Sequence, residues 1–141
     1  MLKLRRAPLY YVVRTPFCYK EPKKMFKVII AGCRDYEDYN TVKAYADRML
    51  SNITEEIQIV SGGASGADAM GERYAKEKGY SLKRFPADWD KYGRSAGPKR
   101  NRQMAQYADA LIAFWDGVSR GTKNMIDEAN AGGLLVRVKR F

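Results

Sequence analysis

Five short runs of apolar, largely β-branched residues alternate along this chain with four amphipathic stretches, and that order leaves few folds open. The runs are Lys27–Ala31, Ile57–Val60, Leu82–Phe85, Ala110–Trp115 and Leu134–Val138. Each is too short for a helix and apolar enough to be buried on both sides, which is the pattern of parallel strands. Between them, Asn40–Ser51 places Val42, Tyr45, Ala46, Met49 and Leu50 on one helical face. Ser65–Lys78 does the same with Ala69, Met70, Tyr74 and Ala75 and is stopped by Gly79. Gly97–Tyr107 and Gly121–Ala131 are the later helices, the last ended by Gly132-Gly133. Strand, helix, strand in strict alternation predicts parallel strands joined by right-handed crossovers. The expectation is an α/β, three-layer Rossmann-like domain of about five parallel strands, occupying residues 25–141.

Composition removes several chemistries. The 141 residues include no histidine and two cysteines, Cys18 and Cys33. The usual general base near neutrality is therefore absent, and a zinc site of three or four thiolates cannot be built within one chain. Triads that rely on histidine are excluded as well. No apolar run approaches the ~20 residues that cross a bilayer, so no membrane partner is expected. Basic residues outnumber acidic ones 26 to 16, a formal charge of +10. Seven basic groups against one acid lie in residues 1–24, a segment broken by Pro8, Pro16 and Pro22. It reads as a basic, poorly ordered extension; its functional alternative is an arm that grips phosphate backbone. It lacks a secretory signal pattern, so a cytoplasmic setting with reduced thiols is expected.

In a doubly wound sheet, ligands bind beyond the carboxyl ends of the strands, and those loops hold the unusual residues. The first, Gly32-Cys33-Arg34-Asp35-Tyr36, stands Arg34 over the expected crevice. The second, Ser61-Gly62-Gly63-Ala64-Ser65-Gly66-Ala67-Asp68, has glycines that let a ligand approach and a serine, Ser65, placed to cap the next helix. Free N–H groups at such a helix start attract anions. No Gly-Lys-Ser/Thr occurs, so a P-loop NTPase is not expected. After the third run come Asp88 and Trp89, then Arg94, Lys99, Arg100, Asn101 and Arg102, four cations in nine residues with no acid. Pro98 suits a first helical turn, and cations there call for an anion. The fourth loop offers Gly117, Ser119, Arg120, Gly121 and Thr122, hydroxyls and a guanidinium fit for phosphate. Each loop also has a bland reading: a turn, a cap, or a solvated basic face.

Taken in order, VIIAGCRDYED (Val28–Asp38), IVSGGASGAD (Ile59–Asp68), PADWDKYGRSAGPKRNRQM (Pro86–Met104) and ADALIAFWDGVSRGT (Ala108–Thr122) resemble the YspA-like family of the SLOG superfamily. That superfamily groups DprA-type proteins with LOG-type nucleotide phosphoribohydrolases. The resemblance implies a Rossmann-like fold with a site for a nucleotide or nucleotide-derived ligand, and a homodimer by analogy. It implies no reaction. LOG enzymes carry a P-G-G-x-G-T-x-x-E signature with a catalytic glutamate, whereas the position three beyond Thr122 here is Met125. A thioether cannot act as a general base.

The expected function is binding or sensing of a nucleotide or phosphorylated nucleoside. Phosphate would lie across Gly62, Gly63, Ser65 and Gly66 on one side and Gly121 and Thr122 on the other. Arg34, Arg100 and Arg120 would supply charge, Asp68 or Asp88 would meet a ribose hydroxyl, and Trp89 or Trp115 would flank the base. The alternatives are a hydrolase of such a ligand, with Asp68 or Asp88 as the acid–base group, and, less favoured, a nucleic-acid-binding protein. No metal or other cofactor is expected.

Overall fold

The computed structural model describes residues 24–141, so the extension expected over residues 1–24 lies, Lys24 apart, outside the described residues. Five strands, β1 (Met25–Gly32), β2 (Glu56–Ser61), β3 (Ser81–Arg84), β4 (Ala110–Trp115) and β5 (Leu135–Arg140), form one sheet in the order β3-β2-β1-β4-β5. All four pairings are parallel. The helices are α1 (Tyr39–Leu50), α2 (Ala67–Lys78), the single turn α3 (Trp89–Tyr92), α4 (Ala96–Tyr107) and α5 (Arg120–Ala131), with a 3₁₀ turn over Gly93–Ser95.

Alternation along β1 explains the two-sided core. Val28 and Ile30 face one layer with Ile59, Ile112 and Phe114 beneath Val42, Ala46 and Tyr74. Ile29 and Ala31 face the other, with Val60, Leu111 and Ala113 beneath Met104, Ala105 and Met125. Burial of each large apolar side chain contributes about 1.5–3 kcal/mol. The rim is different: all four residues of β3 are exposed, and its Lys83 and Arg84 keep that edge soluble.

Helix starts depart from expectation in one informative place. The Asp38 carboxylate caps α1 by accepting from Thr41 N at 3.1 Å, and the Ser119 hydroxyl caps α5 by accepting from Thr122 N at 3.4 Å. Ser65, however, does not cap α2. Its hydroxyl donates to the Arg34 carbonyl at 3.2 Å, and Gly66 becomes the cap residue with no side-chain bond. The short α3 was beyond sequence periodicity, which needs more than one turn to register.

One partly exposed network ties α1 to α2. The Asp47 carboxylate accepts from Tyr74 Oη at 2.7 Å and pairs with Lys43 at 3.1 Å and Lys78 at 3.2 Å. These partners, the Tyr74 hydroxyl foremost, hold its pKa down at about 2, against an ordinary 3.8. A depressed carboxylate stabilises the fold above its unfolded pKa, and that stability is lost as pH falls. Asp47→Asn should therefore cost stability at neutral pH. The gap from the parent should close as pH falls from about 4 towards 2, read as denaturant midpoints.

Candidate functional site

The strand order makes the site. From β1 the chain runs outward through β2 and β3, then returns to place β4 on the other side of β1. Loops leaving β1 and β4 therefore part in opposite directions, and the gap between them is the crevice where such sheets bind ligands. A cleft of about 590 Å³ lies there.

Many of the residues singled out in the sequence line it, among them Gly32 and Arg34 from the first loop, Asp68 from α2, Trp89 from α3, Arg94 from the 3₁₀ turn, Arg100 and Asn101 from α4, and Ser119, Arg120, Gly121 and Thr122 at the start of α5. The amino-terminal ends of α2, α4 and α5 all border it, and neither α4 nor α5 has an acid in its first turn. The dipoles of α4 and α5 thus direct positive potential at one cavity, while the start of α2 carries Asp68 in its first turn.

The guanidinium groups divide into two kinds. Arg34, Arg94 and Arg120 line the cleft, are exposed, and make no side-chain hydrogen bond or ion pair with a described residue. Arg100 is anchored instead. Its Nη1 donates to the Gly62 carbonyl at 2.6 Å and the Phe85 carbonyl at 3.4 Å, and its Nε to Asn101 Oδ1 at 3.0 Å. Burial pulls its pKa down, Asp68 opposes that, and the like charge of Arg34 adds to it. The other cations of the Arg94–Arg102 stretch also find partners: Arg102 pairs with Glu128 at 3.4 Å, and Lys99 lies 4.8 Å from the Tyr92 ring centre. Only Arg94 of that stretch keeps the unpaired charge that the sequence suggested for all four.

Asp68 is 5% exposed. Burial raises its pKa, partly offset by the Ala64 N–H, which donates to Oδ2 at 3.2 Å, and by the charge of Arg100. Asp116 behaves oppositely: the Ser119 and Val118 N–H groups, each 2.8 Å away, hold its carboxyl below the usual range.

Several expected ligand residues stand outside the cleft lining. Gly62 is buried between Arg100 and Asp68, and the Gly63 N–H donates to Ser61 Oγ at 3.0 Å. Ser65 and Gly66 pack the second loop onto the first. Gly66 has φ +72°, and a Cβ there would sit 2.4 Å from the Arg34 and Cys33 carbonyl oxygens. Gly66 thus serves close loop-to-loop packing, and of the residues of this loop Ala64 and Asp68 reach the cavity. Asp88 caps α3 by accepting from Lys91 N at 3.1 Å. Gly117 packs against the Arg140 guanidinium. Trp115 is turned away, its Nε1 donating to the Ser119 carbonyl at 3.1 Å and its ring 5.2 Å from Arg140. Trp89 is the aromatic at the mouth, half exposed and in contact with Gly97.

Sequence reading overlooked the floor. Met104 and Met125, 1% and 2% exposed, give the cleft an apolar base, and Asn124 adds an amide. Periodicity marks Met104 and Met125 as core, and nothing in their spacing shows that the core layer ends at a cavity. Met125 stands in that floor at the position where LOG enzymes carry their glutamate.

Fold and crevice together define a doubly wound α/β domain with an electropositive cleft at its strand-order switch. Residues 26–92 match the model of the YspA, cpYpsA-related SLOG family. The chain is also 36% identical over 119 residues to the Gene 61 protein of Mycobacterium phage D29, covering 79% of this chain and 94% of that protein. It belongs to the YspA-related SLOG family. Its fold is similar to that of DNA processing protein A (DprA) from Streptococcus pneumoniae, with a TM-score of 0.62 and 19% identity over 81% of this chain; the match spans half of the DprA chain. It is similar also to TM1055, a structural-genomics target, with a TM-score of 0.58 and 19% identity over 79% of this chain and 72% of that one. Among the described residues no helix is long and apolar enough to cross a membrane.

Proposed function

We propose that this domain binds a nucleotide or a phosphorylated nucleoside derivative in the cleft between the β1 and β4 loops. The carrying observation is the convergence of three helix amino-termini and three guanidinium groups without a partner among the described residues, Arg34, Arg94 and Arg120, on one cavity. Such an excess of donors and positive charge is repaid by a multiply charged anion. The size of the cavity, 590 Å³, is in the range of small-molecule sites and leaves room for more than inorganic phosphate. The apolar floor of Met104 and Met125 and the exposed Trp89 ring suit a base and sugar beside that charge. The absence of an acid at Met125 favours holding the ligand over cleaving it.

Millimolar nucleoside mono- and diphosphates should raise the Tm by several degrees, while unphosphorylated nucleosides should leave it unchanged. A ligand at 100 times its Kd stabilises by about 2.7 kcal/mol, which is well within the reach of thermal denaturation. An unshifted Tm across the whole nucleotide panel would remove this reading.

A second reading rests on Asp68. A buried carboxyl with a raised pKa on the wall of a ligand cleft has the character of a proton donor. If it acts as one, chromatography after incubation with nucleoside monophosphates should show cleaved product, and Asp68→Asn should abolish it. Intact ligand beside measurable binding leaves the first reading alone.

A further inference from the structure

Three polar side chains beneath the cleft form a chain whose direction is dictated by its ends. Asn101 is 6% exposed, and its amide could be seated either way round only if its neighbours allowed it. They do not. On one side stands Arg100 Nε, 3.0 Å away, a group that can only donate. On the other stands the Gly121 carbonyl, 3.4 Å away, a group that can only accept. Asn101 must therefore turn Oδ1 to Arg100 and Nδ2 to α5; the reverse would set donor against donor and acceptor against acceptor. The same Nδ2 donates to Asn124 Oδ1 at 2.9 Å. That bond turns Asn124 Oδ1 towards Asn101 and leaves its Nδ2, which has no hydrogen-bond partner among the described residues, as the free donor of this cleft-lining residue.

Position adds the rest. Asn124 lies three and four residues beyond Gly121 and Arg120, so it shares their face of α5, and helical side chains lean back towards the amino terminus. A group seated on the first turn of α5 meets the Asn124 amide directly beneath it. We infer that Asn124 is a specificity-determining residue whose N–H groups, aimed by Asn101 and Arg100, donate to an unprotonated phosphate oxygen held at the start of α5. Arg100 and Asn101 are positioning residues in this arrangement, with Arg100 itself moored on the Gly62 and Phe85 carbonyls. The inference rests on the nucleotide reading above and sharpens it, because the cleft then selects an oxygen acceptor and rejects a protonated or donor group at that point.

Two measurements test it. In the ligand-free protein, side-chain amide NMR should show the Asn101 NH₂ protected from solvent exchange and the Asn124 NH₂ exchanging freely. The opposite pattern overturns the polarity whatever the protein binds. Titration with ADP should then move the Asn124 NH₂ resonances, and Asn124→Leu should weaken ADP about tenfold, as loss of a hydrogen bond to a charged group does. Asn124→Asp, which puts an acceptor and a negative charge where the donor was, should weaken ADP further. Asn124→Asp keeps an acceptor for the buried Asn101 amide and should hold the parental Tm without ligand. Asn124→Leu removes that acceptor and should lower the Tm of the unliganded protein, so its ADP affinity is compared by titration at a temperature where both variants are folded. Parent-like ADP affinity in both variants refutes the role of Asn124 while leaving nucleotide binding intact. An ADP-insensitive parent protein overturns the donor role along with the nucleotide reading, separately from the amide polarity.

Discussion

Arg34→Ala combined with Arg120→Ala should abolish nucleotide-dependent stabilisation while leaving the unliganded fold as stable as the parent. Both side chains are exposed, both line the cleft, and neither makes an intramolecular ion pair or side-chain hydrogen bond among the described residues, so the fold loses nothing with them. Removing Arg34 also relieves the like-charge effect it exerts on Arg100. A charge-assisted hydrogen bond contributes about 1.5–3 kcal/mol, so two lost together raise the Kd by a factor on the order of 10² to 10⁴. Calorimetric titration of parent and variant with the nucleotide that gives the largest thermal shift measures this. Unaltered affinity in the double variant would place the anion elsewhere and overturn the assignment of these guanidinium groups. Arg100 is the wrong residue for the same experiment. Its donors already hold the Gly62 and Phe85 carbonyls, and its removal would disturb the loop and the ligand together.

A large effect on stability is expected at Gly32. A Cβ on this residue would lie 2.3 Å from the Phe114 carbonyl oxygen, 2.9 Å from the Phe114 nitrogen and 3.0 Å from the Ala67 Cβ. Two of these neighbours are backbone atoms of β4, which pairs with β1 at this very register, so neither can swing aside as a flexible side chain would. The Cys33 N–H also donates to the Phe114 carbonyl at 3.0 Å, a bond that a displaced strand would lose. Gly32→Ala should cost about 3 kcal/mol or more, the upper range for overpacking a core. That is a large share of the 5–15 kcal/mol typical of a whole domain. Urea denaturation should show a midpoint displaced accordingly with an unchanged slope. A parent-like midpoint would mean that β1 and β4 are less closely apposed at the head of the crevice than the structure has them.

Glycine illustrates how far the residues could be read in advance. In the Ser61–Asp68 loop the glycines announced a close approach, and there is one, but the approaching group is the backbone of the first loop against Gly66. The same residue type serves a ligand or a neighbouring loop equally well, because what it supplies is the lack of a side chain. Ser65 shows the corresponding limit for polar groups. A serine before a helix caps it only where its oxygen faces the first-turn N–H groups. Here the hydroxyl is turned instead to the Arg34 carbonyl, thirty-one residues away in sequence, with Gly66 left as the cap residue. Asn124 escaped notice, and Met125 was marked only as the residue at the LOG glutamate position and not as part of a cavity floor, for a third reason: one helical turn inside α5, they carry the signature of ordinary helix and core positions.

The sequence by itself determined the alternation of strands and helices, the parallel sheet, the family, and the loops where charge gathers. The alternation, the sheet and the loops follow from local periodicity and residue type, which act over a few positions, and the family from the resemblance of four motifs taken in order. Only the tertiary structure decided that β1 and β4 are neighbours, and hence that Arg34, Ala64, Asp68, Arg94, Arg120 and Asn124 face one cavity. It also decided which arginines are free and which are bound, because a hydrogen bond depends on ångströms of separation between segments that the chain order leaves far apart.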